Sequence, residues 1–196
     1  GIRMARRDCR LIQCSAIGVS GVGFDVGNAA YGAFLQGCLA HGCGSHGFDV
    51  IGELAMQACV SDGNLNGLNI ADSDQASLVV DSLFTNNTTY GITGVSGSML
   101  RTINCYGRGN NTDVDGNVSL ASLTALTTDP YTDRAGDDFS INNTAGGGAT
   151  LRSVSAALSA FTAVHPFNWL TDGAGGGGSG PSLAGIRRGG NRLGAS

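Results

Sequence analysis

Apolar positions along the first half of the chain recur in short alternating triplets rather than in helical stripes. Phe24-Asp25-Val26, Phe48-Asp49-Val50, Leu68-Asn69-Ile70 and Ile92-Thr93-Gly94 each follow a glycine, namely Gly23, Gly47, Gly67 and Gly91. Alternation puts the first and third residues of a triplet on one face and the middle one on the other. The pattern therefore predicts strands, with one apolar row of Phe24, Phe48, Leu68 and Ile92 and a second of Val26, Val50 and Ile70. The middle residues face water. No segment of helix length carries a 3.6-residue apolar period without glycine breaks. A Leu-x-x-Leu-x-Leu frame is also missing.

The triplets belong to a longer repeat. Taking Cys14, Cys38, Cys59, Leu83 and Cys105 as anchors, the spacings are 24, 21, 24 and 22 residues. Four residues after each anchor stand Gly18, Gly42, Gly63, Asn87 and Gly109, residue types that tolerate a left-handed backbone. A repeat of this length built from strands and tight turns is a coil of a solenoid. Each coil buries about four to six aliphatic side chains, on the order of 10 kcal/mol before entropy is subtracted. One coil cannot stand alone, whereas a stack of about four to five can. The expected fold is all-β: a right-handed parallel β-helix over residues 1–113, a C-terminal cap region over 114–172, and a Gly-rich tail over 173–196.

The Cys-x-φ-x-x-Gly/Asn step followed by Gly-φ-x-φ resembles the right-handed β-helix repeat of the pectate-lyase-like superfamily, over about residues 2–113. The resemblance implies the fold. It leaves activity open, because that superfamily holds polysaccharide lyases and glycosidases, phage tailspikes and fibres, and surface proteins. The stretch Asp129-Pro130-Tyr131-Thr132-Asp133, with Asp138-Phe139-Ser140-Ile141-Asn142 and Ala145-Gly146-Gly147-Gly148-Ala149, is similar to the tail following such helices in some bacterial and phage-encoded proteins.

Composition sharpens this picture. The chain has 196 residues, 33 of them Gly and 3 Pro, and its 11 basic residues are all Arg. That is a turn-and-strand surface. Net charge is −4, which argues against a nucleic-acid partner. No apolar stretch reaches the ~18 residues of a membrane span. Arg3, Arg6, Arg7 and Arg10 read as a solvated rim. The repeat decays after Asn111; Leu151, Leu158, Phe161 and Trp169 suggest a cap over the open end of the stack, with a short helix near 151–160. The Gly-rich tail is expected to be ordered by a partner, a second copy or a neighbouring structural subunit, with Arg187, Arg188 and Arg192 as its assembly contacts.

Candidate chemistry is sparse. Cys14, Cys38, Cys59 and Cys105 form one inward row and are expected to be buried free thiols. Cys9 and Cys43 lie off that row and are the better candidates for a disulfide. Asp25 and Asp49 would sit side by side on an outward face with His46 near in sequence, which invites a glycosidase reading; a solvated carboxylate row explains them equally. Ser45-His46-Gly47 resembles the Gly-His-Gly of polygalacturonases, Asn111-Thr112-Asp113 their Asn-Thr-Asp, and Asp137-Asp138 their Asp pair. The order of these elements differs here, and their Arg-x-Lys element is impossible without Lys. Asn111-x-Asp113-x-Asp115-Gly116 follows the start of an EF-hand calcium loop. Its twelfth position is Ser122, so the bidentate acid is missing. No catalytic residue and no cofactor is therefore expected, calcium at Asn111, Asp113 and Asp115 being the alternative. The expected function is a non-enzymatic structural or adhesive β-helix, extracellular or on a virion. The alternative is a polysaccharide-acting enzyme or carbohydrate-binding module with a glycan as partner.

Overall fold

The structure, a computed structural model, describes residues 1–27, 32–74 and 76–154. Three parallel sheets of six strands each run along the described residues, and every coil contributes one strand to each sheet. Sheet A contains β1 (Ile2–Met4), β4 (Phe24–Val26), β7 (His46–Val50), β10 (Asn66–Ile70), β13 (Tyr90–Gly94) and β16 (Thr112–Val114). Sheet B contains β2 (Arg10–Ile12), β5 (Ala33–Gln36), β8 (Leu54–Gln57), β11 (Ala76–Val80), β14 (Ser98–Ile103) and β17 (Val118–Ser119). Sheet C contains β3 (Ser15–Ile17), β6 (Leu39–His41), β9 (Val60–Asp62), β12 (Leu83–Thr85), β15 (Tyr106–Arg108) and β18 (Thr124–Ala125). The chain is an all-β parallel solenoid, five turns separating β1 from β16.

The register of sheet A matches the alternation in the sequence. Ile2, Phe24, Phe48, Leu68, Ile92 and Val114 stack in one interior row. The rings of Phe24 and Phe48 are nearly parallel, with centroids 5.0 Å apart. Met4, Val26, Val50 and Ile70 form the next row. Sheet B closes the core with Leu11, Leu35, Met56 and Val79, and sheet C with Ala16, Ala40, Ser61 and Phe84.

One anchor shifts by a residue. Leu83 pairs with Val60 and Tyr106, each one residue past its cysteine. The true anchor row is Cys14, Cys38, Cys59, Ser82 and Cys105, and the Cys59 N–H donates to Ser82 Oγ at 3.1 Å. Serine replaces cysteine at this position, so the leucine that follows it imitates the anchor in the sequence. The left-handed row is accordingly Gly18, Gly42, Gly63, Asn86 and Gly109, all at positive φ. Asn87 instead belongs to an interior row of Cys43, Asn64, Asn87 and Asn110, which turns the chain from sheet C into sheet A.

The C-terminal part also departs from expectation. The boundary at 113 falls inside β16, and β17 and β18 extend the stack, with Ala121 and Leu123 packed against the end of the core. Residues 126–151 do not continue onto that end. They pack across the outward face of sheet C as an antiparallel hairpin, β19 (Tyr131–Asp133) and β20 (Asp138–Ile141), followed by helix α1 (Gly148–Val154). Leu126, Tyr131, Phe139, Ile141 and Leu151 form a second apolar cluster with Leu39, Val60, Leu83 and Tyr106 of sheet C. The helix expected near 151–160 thus begins at Gly148. The readings of Leu158, Phe161, Trp169 and the tail 173–196 lie outside the described residues.

Candidate functional site

The outward row of sheet A contains the predicted carboxylates, and each is engaged by the neighbouring coil. Arg3, Asp25, Asp49, Asn69 and Thr93 stand in register. Arg3 pairs with Asp25 at 3.3 Å. Asn69 Nδ2 donates to Asp49 Oδ1 at 2.7 Å, and Thr93 Oγ1 donates to Asp115 Oδ2 at 2.8 Å. His46 is held by a different partner, Asn66, whose Nδ2 lies 3.1 Å from Nδ1. Asp25 and Asp49 are thus neighbours as expected, but each carboxylate has its own partner, and His46 joins neither.

The calcium candidates are likewise divided. Asp113 Oδ1 accepts from Asn110 Nδ2 at 2.8 Å, within the asparagine row. Asp115 accepts from Thr93 and from Asn117; the Thr93 hydroxyl holds its carboxyl below the usual range. Asn111 is exposed. No group of three His, Cys, Asp or Glu side chains fit to hold a metal occurs among the described residues. Arg187, Arg188 and Arg192 lie outside those residues.

All six cysteines are free, including Cys9 and Cys43. Cys38, Cys59 and Cys105 are buried, and Cys14 is half-buried. The Cys105 thiol has two carbonyl acceptors within reach of its one S–H, those of Val79 and Ile103, each at 3.4 Å. Burial pushes its pKa up to about 11 and that of Cys59 well above the ordinary thiol value. Both are poor nucleophiles at neutral pH.

Two features escaped the sequence. The first is a charged cluster where the β19–β20 hairpin meets sheet C. Asp62, a fully buried side chain, accepts from Thr85 Oγ1 and Asn86 Nδ2, both at 2.7 Å. Its Oδ2 lies 3.0 Å from His41 Nδ1 and 3.6 Å from Arg134 Nη1. Burial disfavours ionisation here. The bonds from His41, Asn86 and Thr85, with Arg134 beside them, outweigh it and hold the carboxyl below its usual range. The bond to Asp62 raises the pKa of His41 against the opposing effect of burial. Tyr131 OH bonds Thr85 Oγ1 at 3.0 Å, and burial pushes its pKa well up. No spacing motif links His41, Asp62 and Asp137, because coil stacking and the hairpin fold-back bring them together.

The second is a groove of about 750 Å³ on sheet B. Arg10, Phe34, Ala55, Leu78 and Arg101 follow one another across it, one per coil. The Arg10 guanidinium carbon stands 6.0 Å from the Phe34 ring centre. Leu78, Met99 and Ile103 on this sheet are exposed. No helix among the described residues is long and apolar enough to cross a membrane.

No family model, no curated protein and no solved structure matches the chain.

Proposed function

We propose that the chain is a non-enzymatic structural or adhesive solenoid, working as part of a larger extracellular or virion assembly. One observation carries this reading. The outward polar groups of sheet A are spent on an adjacent coil, Arg3 on Asp25, Asn69 on Asp49 and Thr93 on Asp115. A glycoside-cleaving pair needs two carboxyl groups flanking one scissile bond across a gap, one as acid and one as base or nucleophile. A ladder that pairs each carboxylate with a neighbour instead stiffens a rod. The superfamily resemblance of the repeat, with its tailspike and surface-protein members, fits the same role.

Edge strands supply the means of assembly. Among the described residues β1, β2 and β3 pair on one side only, and Ile2, Cys9, Leu11, Cys14 and Val19 beside them are only partly buried. Such edges leave backbone groups open to pairing with another strand. Native mass measurement over a range of concentrations, combined with a screen for depolymerisation of acidic and neutral polysaccharides, tests the proposal. Assembly without depolymerisation supports it, and turnover of any polysaccharide overturns it.

A second reading, binding of a glycan without cleavage, draws on the sheet B groove. There Arg10 and the Phe34 ring form a cation–aromatic pair, with exposed Leu78 two coils further along the same groove. Calorimetric titration with oligosaccharides, in wild type and Phe34→Ala, distinguishes it from a purely structural role.

A further inference from the structure

We propose that His41 is held as an imidazolium between Asp62 and Asp137, and that the proton on its Nε2 latches the β19–β20 hairpin to the flank of the solenoid. Both ring nitrogens face acceptors. Nδ1 faces two from the neighbouring coil, Asp62 Oδ2 at 3.0 Å and the Asp62 carbonyl at 3.2 Å. Nδ1 must therefore donate. Nε2 faces Asp137 Oδ1 at 3.3 Å, across the gap to the hairpin. A neutral imidazole carries one N–H and one lone pair. With Nδ1 committed, deprotonation strips Nε2 and turns its lone pair toward a carboxylate. Deprotonation thus breaks the bond to the hairpin, while the bond within the solenoid survives.

The surroundings make that proton count. From β9 comes Asp62, and from the turn joining β19 and β20 come Arg134 and Asp137. Arg134 Nε also lies 3.9 Å from Asp129, which Arg108 of β15 approaches to 3.8 Å. Thr85 of β12 and Asn86 beside it give neutral donors to Asp62. From β19, Tyr131 OH bonds Thr85, and from β20 the Phe139 ring stands edge-on to the imidazole at 4.7 Å. In the coil on the other side His41 is paired with apolar Ile17. Three cations, His41, Arg134 and Arg108, therefore meet three carboxylates, Asp62, Asp129 and Asp137. Asp133 and Asp138, paired in the hairpin, add negative charge close by. Loss of the His41 proton leaves one carboxylate uncompensated at a seam that is fully buried at Asp62 and open to solvent at Asp137, whose side chain is 59% exposed, so salt should weaken the Asp137 contact.

Because the His41 pKa is raised, the latch is fully engaged below the ordinary histidine value of about 6.5 and is lost as pH rises through the folded value. The apolar cluster of Tyr131, Phe139 and Ile141 still holds the hairpin to sheet C, so the change is local loosening rather than detachment.

The experiment is hydrogen exchange of amides 131–141 against the amides of β7, corrected for intrinsic rates, from pH 5 to 8.5. NMR titration of the His41 ring runs alongside. The ring should titrate above about 6.5. Relative protection of the hairpin should fall as pH rises from about 6.5 through the ring's folded value, by up to about tenfold for each unit of elevation. Asp137→Asn should lower the ring pKa and flatten the pH dependence without unfolding sheet A, and His41→Gln should remove it. Equal pH dependence in wild type and Asp137→Asn, or a ring that titrates at or below the ordinary value, overturns the proposal.

Discussion

Asn64 and Asn87 are joined across adjacent coils by one side-chain oxygen: Asn87 Oδ1 accepts the backbone N–H of Asn64 at 3.2 Å and lies 3.4 Å from Asn64 Nδ2. Asn87 repeats the arrangement with Asn110 Oδ1, at 3.0 and 2.9 Å. Both Asn64 and Asn87 are buried, so these amides have no water to fall back on. Asn87→Ala orphans the Asn64 N–H and removes a donor from the Ser61 carbonyl. At about 1–3 kcal/mol for each buried group left unpaired, the expected loss is about 2–5 kcal/mol in denaturant unfolding. A loss below about 1 kcal/mol would mean that water replaces the side chain.

Phe48, in the interior row, is fully buried, stacked on Phe24 and followed by Leu68. Phe48→Ala leaves a cavity inside a rod whose coils are tied by backbone ladders and cannot collapse inward. The cost should be about 3–5 kcal/mol in urea or thermal unfolding. A change under about 1 kcal/mol would contradict the register.

Two glycines of the repeat should behave differently. Gly18 has φ +62° with open space around its missing Cβ, so Gly18→Ala costs only the left-handed backbone penalty, about 1 kcal/mol. At Gly47 a Cβ would run into Ser61 Oγ and lie 2.8 Å from the Gly67 carbonyl oxygen. Gly47→Ala therefore forces a backbone shift between coils and should cost about 1–3 kcal/mol or more. Melting curves of the two variants should rank in that order.

The same contrast separates what was legible in the sequence from what was not. The repeat length, the triplets and the interior rows of Phe24 and Val26 were readable because alternation maps directly onto a strand's two faces. The Gly23, Gly47, Gly67 and Gly91 row was readable as a pattern, though its cause is close packing rather than positive φ. A further left-handed row, Gln13, Gly37, Ala58, Asp81 and Asn104, was invisible because only one member is glycine. The Asp62 cluster was invisible for a different reason. It joins residues 41, 62 and 85, spaced by the repeat, to 131, 134 and 137, and only the hairpin's fold-back against sheet C creates it. Asp25 and Asp49 were found as neighbours, but their separate partners Arg3 and Asn69 could be assigned only once the register was known.

The outward carboxylates provide a direct test of role. Asp25 and Asp49 sit partly exposed, where an ion pair contributes about 0–1 kcal/mol. Asp25→Asn with Asp49→Asn should shift unfolding by less than about 1 kcal/mol and leave assembly unchanged by native mass. If wild type released oligosaccharides and this double variant did not, the pair would be catalytic and the structural reading would be wrong.

On the acid side of the hairpin seam, Asp62 keeps a lowered pKa despite burial, because His41, Asn86, Thr85 and Arg134 all favour its charged form. A depressed carboxyl contributes stability that is present above the unfolded value of about 3.9 and is lost as pH falls through the folded value. His41 acts in the opposite direction, contributing below its unfolded value and losing its contribution as pH rises. Hairpin docking should therefore be strongest between the two limits, in mildly acidic solution, and weaken at both ends. Asp62→Asn keeps the size of the side chain but removes the charge that His41 and Arg134 face. The partly exposed His41 and Arg134 then face an amide in place of a charge, and the loss should be about 1–3 kcal/mol. The acid limb disappears with the carboxyl, and the His41 pKa falls with the loss of its principal partner. Thermal melts across acidic and neutral pH should show a wild-type maximum at about pH 5 to 6, flattened in the variant. A variant that kept the wild-type acid limb would place the titrating carboxyl elsewhere.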